Sequence, residues 1–261
     1  MAGSAAGWVV VTLATLALPL DWALIGLAFL LALAFYTRDR LDEKERQADR
    51  LTMPERTAWV QRYEVVLQGL VWASFFGALL LLAFRPAALL PLLAGLGFAL
   101  SYTVRWFPWR GARLGWKHLP GMKMPFVAAL WTLTTVITPA AVYDQLWRKE
   151  TWLLVVAVWA FIMAQILLND LRDIAGDQLS GVTSLPVLVG ETKARRIGQI
   201  LTWAAAWLMF PLNPLPFLGV AIYSGFLLWR YRRERDARWR PWIEAQGLIA
   251  ALCNLQPRRL L

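Results

Sequence analysis

Residues 165–181 read Gln165-Ile-Leu-Leu-Asn169-Asp-Leu-Arg-Asp173-Ile-Ala-Gly-Asp177-Gln-Leu-Ser-Gly181. The first four residues close an apolar run that begins near residue 150, and three aspartates and an asparagine follow at once. Asn169, Asp173 and Asp177 stand at i, i+4 and i+8. Each step of four advances only about 40° around a helix of 3.6 residues per turn, so the three side chains share one face. Gln165 begins the same stripe one turn earlier, still inside the apolar run. Oxygen ligands stacked in this way suit a hard cation such as Mg²⁺, which takes carboxylates, retained waters and substrate phosphates. A merely solvated helix end gives no reason for a polar stripe to start within apolar sequence.

The surrounding chain is built of similar apolar runs. Of its 261 residues 59% are hydrophobic and 17% charged, against roughly 45–50% and 25% for soluble domains. Mean hydropathy is +0.48, and sixteen tryptophans exceed what a soluble domain of this size carries. Apolar stretches near 6–20, 22–37, 63–84, 86–104, 123–142, 150–168, 194–212, 214–231 and 238–255 match the length needed to span a bilayer. The expected fold is therefore all-α, a polytopic nine-helix membrane bundle occupying residues 1–261 as one domain. A soluble domain, a disulfide scaffold and a disordered chain are excluded. Met1 to Leu20 lacks a basic start and leads straight into another span, so it reads as a retained helix, not a cleaved signal. Cys253 has no partner cysteine, and His118 is the only histidine, which excludes multi-histidine metal sites.

The +10 charge is distributed by topology. All but five of the 27 Lys and Arg fall in stretches near 38–62, 105–122, 169–193 and 230–238 or just beside them; Arg85, Arg148, Lys149, Arg258 and Arg259 are the rest. That asymmetry places these loops and the N-terminus in the cytoplasm and the C-terminus on the opposite side. It also explains the basic surplus without nucleic acid, while leaving it available to anionic lipid or a phosphorylated substrate.

Acidic residues collect in two of the same loops, which topology does not require. Beside the stripe at 169–177, Asp39, Asp42, Glu43, Glu45 and Asp49 follow the second span. A four-residue step joins Phe35, Asp39 and Glu43; the two acids can face a metal together, whereas interleaved Arg38, Arg40, Lys44 and Arg46 equally fit a salt-bridged segment. Glu244 and Gln246 are polar groups within the last span, and Arg240 lies within a turn of Glu244 as a possible partner.

These two segments resemble the UbiA superfamily of intramembrane prenyltransferases. Asn169-Asp-Leu-Arg-Asp-Ile-Ala-Gly-Asp177, with the following Gln-Leu-Ser-Gly-Val-Thr-Ser-Leu-Pro-Val, is similar to that family's second motif, and Tyr36-Thr-Arg-Asp-Arg-Leu-Asp-Glu43 keeps the Asp-Arg core of its first. Phe35 stands where that motif has Asn, and Glu43 where it has its last Asp. Pro54-Glu-Arg56 falls at a Pro- and Arg-containing stretch of the family. Of the Tyr-x-x-x-Lys element after the fourth helix, Tyr102 is present and Trp106 takes the Lys position. The resemblance covers the whole chain and implies transfer of a prenyl group from an allylic prenyl diphosphate to a lipophilic or aromatic acceptor within the membrane.

On this implied chemistry, Asn169, Asp173, Asp177, Asp39 and Glu43 hold Mg²⁺, with Asp173, Asp177 and Asp39 catalytic. Arg113, Lys117, Lys123 and Arg105 neutralise the diphosphate, a form of electrostatic catalysis. Tyr102, Trp131 and Tyr36 offer aromatic faces to the allylic cation; as single positions they equally fit core packing or interface belts. A second reading follows from Phe35 and Trp106: a UbiA-fold subunit without catalysis, binding pigment, quinone or lipid in a larger membrane complex. A transporter is a more distant reading, since no internal repeat is visible.

Overall fold

A computed structural model describes residues 1–43, 46, 50, 54–103, 107–109, 112–114, 116, 119–179, 181–231 and 236–254. Its helices are α1 (Ala2–Thr15), α2 (Trp22–Leu41), α3 (Pro54–Arg62), α4 (Glu64–Ala83), α5 (Leu89–Thr103), α6 (Lys123–Thr132), α7 (Thr138–Val142), α8 (Lys149–Arg172), α9 (Ile174–Leu179), α10 (Leu185–Val189), α11 (Glu191–Met209), α12 (Pro214–Arg230), α13 (Asp236–Glu244) and α14 (Gln246–Asn254). A short antiparallel hairpin, Phe107–Trp109 with Ala112–Leu114, departs from a purely helical chain. Four segments are long and apolar enough to cross a membrane: Trp22–Leu41, Glu64–Ala83, Lys123–Val142 and Lys149–Arg172. The other five apolar stretches also carry helix, but in shorter, less apolar or interrupted form.

Helix α8 is the centre. Its 24 residues reach roughly 36 Å at 1.5 Å per residue, enough for a hydrocarbon layer of about 30 Å. Leu154, Phe161, Leu167 and Leu168 on it are fully buried. Phe161 meets Trp8 of α1 and Phe217 of α12 at ring separations of 5.8 and 5.9 Å, so three helices converge on one aromatic cluster. In contrast α4 turns Val65, Trp72 and Phe76 outward. An apolar helix with so little protein around it has lipid as its natural solvent.

Several boundaries differ from the hydropathy pattern, each for a local reason. The first helix covers residues 2–15, not 6–20, because Ala17 adopts φ 56° and Leu18 N–H bonds back to Leu13 at 2.7 Å. That αL turn closes the helix well before Pro19. Asp21 then caps α2, accepting from the N–H groups of Ala23 and Leu24 at 3.0 and 3.2 Å. The predicted span 123–142 is continuous but widens into a π-turn at Leu133–Ile137. Pro139 explains it: the ring supplies no N–H and crowds the carbonyl of Thr135. Thr134 and Thr135 donate their hydroxyls to carbonyls four residues back, and Thr138 donates to Leu133 five residues back, at 2.9–3.1 Å.

The last span is broken at Ala245. Gly247 N–H donates to Ser4 Oγ at 2.8 Å and not to the preceding turn, while Gln165 Nε2 donates to the Ile243 carbonyl at 3.1 Å. Both backbone groups freed by the break therefore have partners, as a nonpolar surrounding demands. Gln246 is buried beside Ser224, to whose hydroxyl its amide donates. Glu244 engages the Met1 amino group at 3.2 Å and Arg40 at 3.9 Å; the side chain of Arg240, its suggested partner, lies outside the described residues.

Candidate active site

The polar ends of α2 and α8 and the first turn of α6 surround one cavity of about 690 Å³. One part of its wall is charged, with Asp39 and Arg40 from α2, Arg56 from α3, Lys123 from α6, Glu244 from α13 and the 169–177 stripe. The other part is hydrocarbon: Leu27 and Leu31 of α2, Phe75, Leu79 and Leu82 of α4, Leu89, Leu92, Leu93 and Leu96 of α5, and Val127, Leu130 and Leu133 of the π-turned helix. Helices α4 and α5 are consecutive yet make little contact beyond the Phe84–Ala88 connection, so this greasy half lies between diverging helices.

The stripe holds its register across a break. Helix α8 stops at Arg172 and α9 starts at Ile174, but Asp173 N–H still bonds to Asn169 O at 3.1 Å and Asp177 N–H to Asp173 O at 2.8 Å. Asn169, Asp173 and Asp177 consequently all line the cavity, as their spacing predicts. Arg172 grips both oxygens of Asp173 at 2.9 and 2.8 Å. Burial by itself would raise the Asp173 carboxyl; the Arg172 contacts, helped by Lys123 and Arg56, outweigh it and hold the group below the usual carboxylate range. Asp173 stays ionised at neutral pH.

Asp170 belongs to this site although helical spacing sets it off the stripe. It is 2% exposed, its Oδ1 lies 2.9 Å from Lys123 Nζ, and its Oδ2 has no hydrogen-bond partner among the described residues. The same Nζ is 3.1 and 3.5 Å from the two oxygens of Asp177. Lys123 is positioned by the turn before it: Gly121, at φ 72°, donates its N–H to Thr183 O at 2.9 Å and so joins the start of α6 to the loop after the stripe. The neighbouring sequence Asn169-Asp170 contained the signal for Asp170, a carboxylate at the end of an apolar run; periodicity alone passed over it.

On the facing wall Asp39 lines the cavity, but Glu43 does not. Helix α2 ends at Leu41 and Asp42 is extended at φ −67°, ψ 128°, so the assumed helical step from Asp39 to Glu43 is not made. Glu43 turns to Arg46 and Arg50 at 2.9 and 3.5 Å. Phe35 is in the wall and meets Phe75 edge-on at 5.8 Å and 82°. Tyr36 and Trp131 are adjacent there, 5.6 Å apart. Lys117 and Arg105 lie outside the described residues, as do the side chains of Arg113 and Tyr102. Arg40, Arg56 and Arg172 supply cationic wall groups that the sequence reading had not assigned to diphosphate.

The donor set fits Mg²⁺ in kind: it contains carboxylates and an amide only, and one buried carboxylate oxygen lacks a partner. Among the described residues no three acidic side chains form a ready cage. That accords with an ion that relies on a few carboxylates and completes its shell with water and substrate phosphate.

The profile of the UbiA prenyltransferase family matches residues 57–248, nearly three quarters of the chain and including the second motif, α6 and most of the cavity wall. The chain belongs to this family. Similar proteins include digeranylgeranylglyceryl phosphate synthases of Halobacterium salinarum, 30% identical over 72% of this chain, and of Thermococcus kodakarensis, 31% identical over 47%. The matched stretches span 62% and 47% of those relatives' own lengths. A solved structure described as giving insights into the biosynthesis of digeranylgeranylglyceryl phosphate synthase in membranes superposes with TM-score 0.54 at 16% identity, covering 96% of this chain and 91% of the other. This likeness shows a shared fold. As a UbiA-family protein with four helices of spanning length and hydropathy, the chain is an integral membrane protein.

Proposed function

We propose that this UbiA-family protein transfers a prenyl group from an allylic prenyl diphosphate to a lipophilic acceptor at the described cavity, with Mg²⁺. The observation that carries the reading is the division of one cavity of about 690 Å³ into a charged wall bearing the family's acidic stripe and a leucine-rich wall of the chemistry an isoprenoid chain requires. The names of the relatives favour a polyprenyl lipid as acceptor or product over a water-soluble one. The reading as a non-catalytic subunit finds less support, because Asn169, Asp173, Asp177 and Asp39 line one cavity with Lys123.

In this proposal the C–O bond between the allylic carbon and the diphosphate breaks, the diphosphate leaves, and an acceptor nucleophile forms the new bond with loss of its proton. Asp39, Asn169, Asp173 and Asp177 would hold Mg²⁺, which when bound supplies charge neutralisation to the leaving diphosphate. Arg56, Arg40 and Arg172 line the same wall and add fixed positive charge. An ammonium has three N–H donors, so Lys123 can keep Asp170 and Asp177 and still offer one to a phosphate oxygen. Tyr36 and Trp131 line the cavity side by side and would stabilise the developing cation and exclude water from it. The uneven Lys and Arg distribution supports nine crossings, with the N-terminus and the charged wall cytoplasmic and the C-terminus opposite.

The test is diphosphate release by purified protein in lipid, offered geranyl, farnesyl or geranylgeranyl diphosphate with and without a mixed pool of lipid and aromatic acceptors. Mg²⁺-dependent release that disappears in Asp173→Asn is the expected result. A folded protein that releases none from any donor, with every acceptor tried, would refute the proposal.

A further inference from the structure

The apolar half of the cavity has a floor. Leu27, Ala28 and Ala78 line it and also belong to one packed cluster with Leu13, Leu24 and Ala88, which are 2% exposed or less. Three residues past Leu24, Asp21 meets Arg85 at 2.6 Å and Tyr143 at 3.0 Å, so a hydrocarbon chain reaching further would run into charge. Two methyl groups stand at this floor on facing helices. Helices α2 and α4 are held in register by close contacts: a Cβ at Gly26 would stand 2.9 Å from Leu81, and one at Gly77 would stand 3.0 Å from Leu30. Midway between those contacts Ala28 and Ala78 are nearly level, at 2% and 3% exposure. The helices leave no slack there, and the open space beside either alanine is the cavity.

The depth of the floor follows from helix geometry. Asp39 on the charged wall is eleven residues along α2 from Ala28, roughly 16 Å at 1.5 Å per residue. An isoprene unit contributes four chain bonds of about 1.5 Å, an advance of about 5 Å when staggered. With its diphosphate level with Asp39, a two-unit tail stops roughly 6 Å short of the floor and a three-unit tail reaches it. We propose that Ala28 and Ala78 determine which prenyl tail the protein accepts, the third isoprene unit lying against their methyl groups. The inference deepens the proposed function and rests on it for the position of the diphosphate.

The experiment measures binding of the unreactive S-thiolodiphosphates of geraniol, farnesol and geranylgeraniol, with Mg²⁺, by titration calorimetry of the full chain in lipid nanodiscs. Each variant is compared with the unsubstituted protein for the same probe, so partition into lipid cancels. Ala28→Leu and Ala78→Leu should weaken the farnesyl and geranylgeranyl probes about tenfold or more, the scale on which a tight apolar pocket discriminates, and leave the geranyl probe nearly unchanged. Leu80→Phe adds bulk to the lipid side of α4, at 64% exposure, and should change none of the three. Because added bulk at a buried site can prevent folding, a second measurement uses the unsubstituted protein. A farnesyl diphosphate carrying a photoreactive diazirine on its third unit should label the α2 and α4 peptides that contain Ala28 and Ala78. Label confined to other helices, or equal effects on all three probes in folded Ala28→Leu and Ala78→Leu, would overturn the inference even if the protein releases diphosphate. Failure of every probe to bind the unsubstituted protein would overturn it too. Length discrimination at these alanines, with no release from any true donor, would uphold the inference and defeat the proposed function.

Discussion

Replacing Gly7 by alanine tests the arrangement that closes the bundle behind the cavity. Helices α1 and α14 cross with their backbones touching: a Cβ at Gly7 would stand 2.1 Å from the Gly247 carbonyl oxygen and 2.9 Å from Leu248 N. The obstacle is backbone, so no rotamer change relieves it. The helices would have to part by roughly 1.3 Å, the difference between 2.1 Å and an ordinary 3.4 Å contact. Such overpacking costs about 1–3 kcal/mol. Separation also stretches the 2.8 Å bond from Gly247 N–H to Ser4 Oγ, worth about 0.5–1.5 kcal/mol in net terms. Together they give a loss of roughly 2–4 kcal/mol, of which small residues at close helix crossings are the usual guard. Gly69→Ala in α4 is the control, because a Cβ there meets nothing within 4 Å and alanine gains about 0.8–1 kcal/mol of helix propensity. Thermal unfolding in one mild detergent compares the two. Gly7→Ala should melt well below the unsubstituted protein, by roughly 4–16 °C at 2–4 °C per kcal/mol, and Gly69→Ala at or above it. A Gly7→Ala protein that melts with Gly69→Ala would refute the close crossing and, with it, the account of the break at Ala245.

On the opposite end, Asp21 caps α2 and also accepts from Arg85 at 2.6 Å and Tyr143 at 3.0 Å. Asp21→Ala should cost about 1–3 kcal/mol by thermal melting, through the lost cap and the broken contacts with Tyr143 and the half-exposed Arg85. Burial favours a raised Asp21 pKa, but Arg85 and the backbone N–H of Leu24 lower it on balance. Its stabilisation should therefore be complete above the ordinary carboxylate pKa near 3.8 and fade as pH falls through the lower folded value, a dependence that Asp21→Asn removes in melts across pH 2–6. Phe35→Asn returns an oxygen ligand to the cavity wall and should tighten Mn²⁺ binding several-fold in titration; unchanged affinity would show that this position does not face the ion. Pro139→Ala restores a donor to Thr135 O, and infrared or hydrogen-exchange measurement should show slower exchange around 133–138 as the π-turn relaxes to an α-turn.

The family motif and the fold class were legible because both are local. Apolar runs of spanning length declare helices in lipid whatever packs beside them, and the four-residue spacing of Asn169, Asp173 and Asp177 fixes their common face before any neighbour is known. The N–H bonds of Asp173 and Asp177 preserve that face even across the break after Arg172. Other assignments depended on what approaches from elsewhere in the chain. Glu43 left the site because α2 stops at Leu41, and Asp170 entered it because Lys123, 47 residues away, brings an ammonium to within 2.9 Å. Gly7 and Gly247 read in sequence as ordinary small residues; only their meeting shows that neither tolerates a side chain. Periodicity determines which side chains share a helix face. Which faces meet, and so which carboxylates find a cation, is set by packing between segments distant in sequence, and this the tertiary structure alone decided.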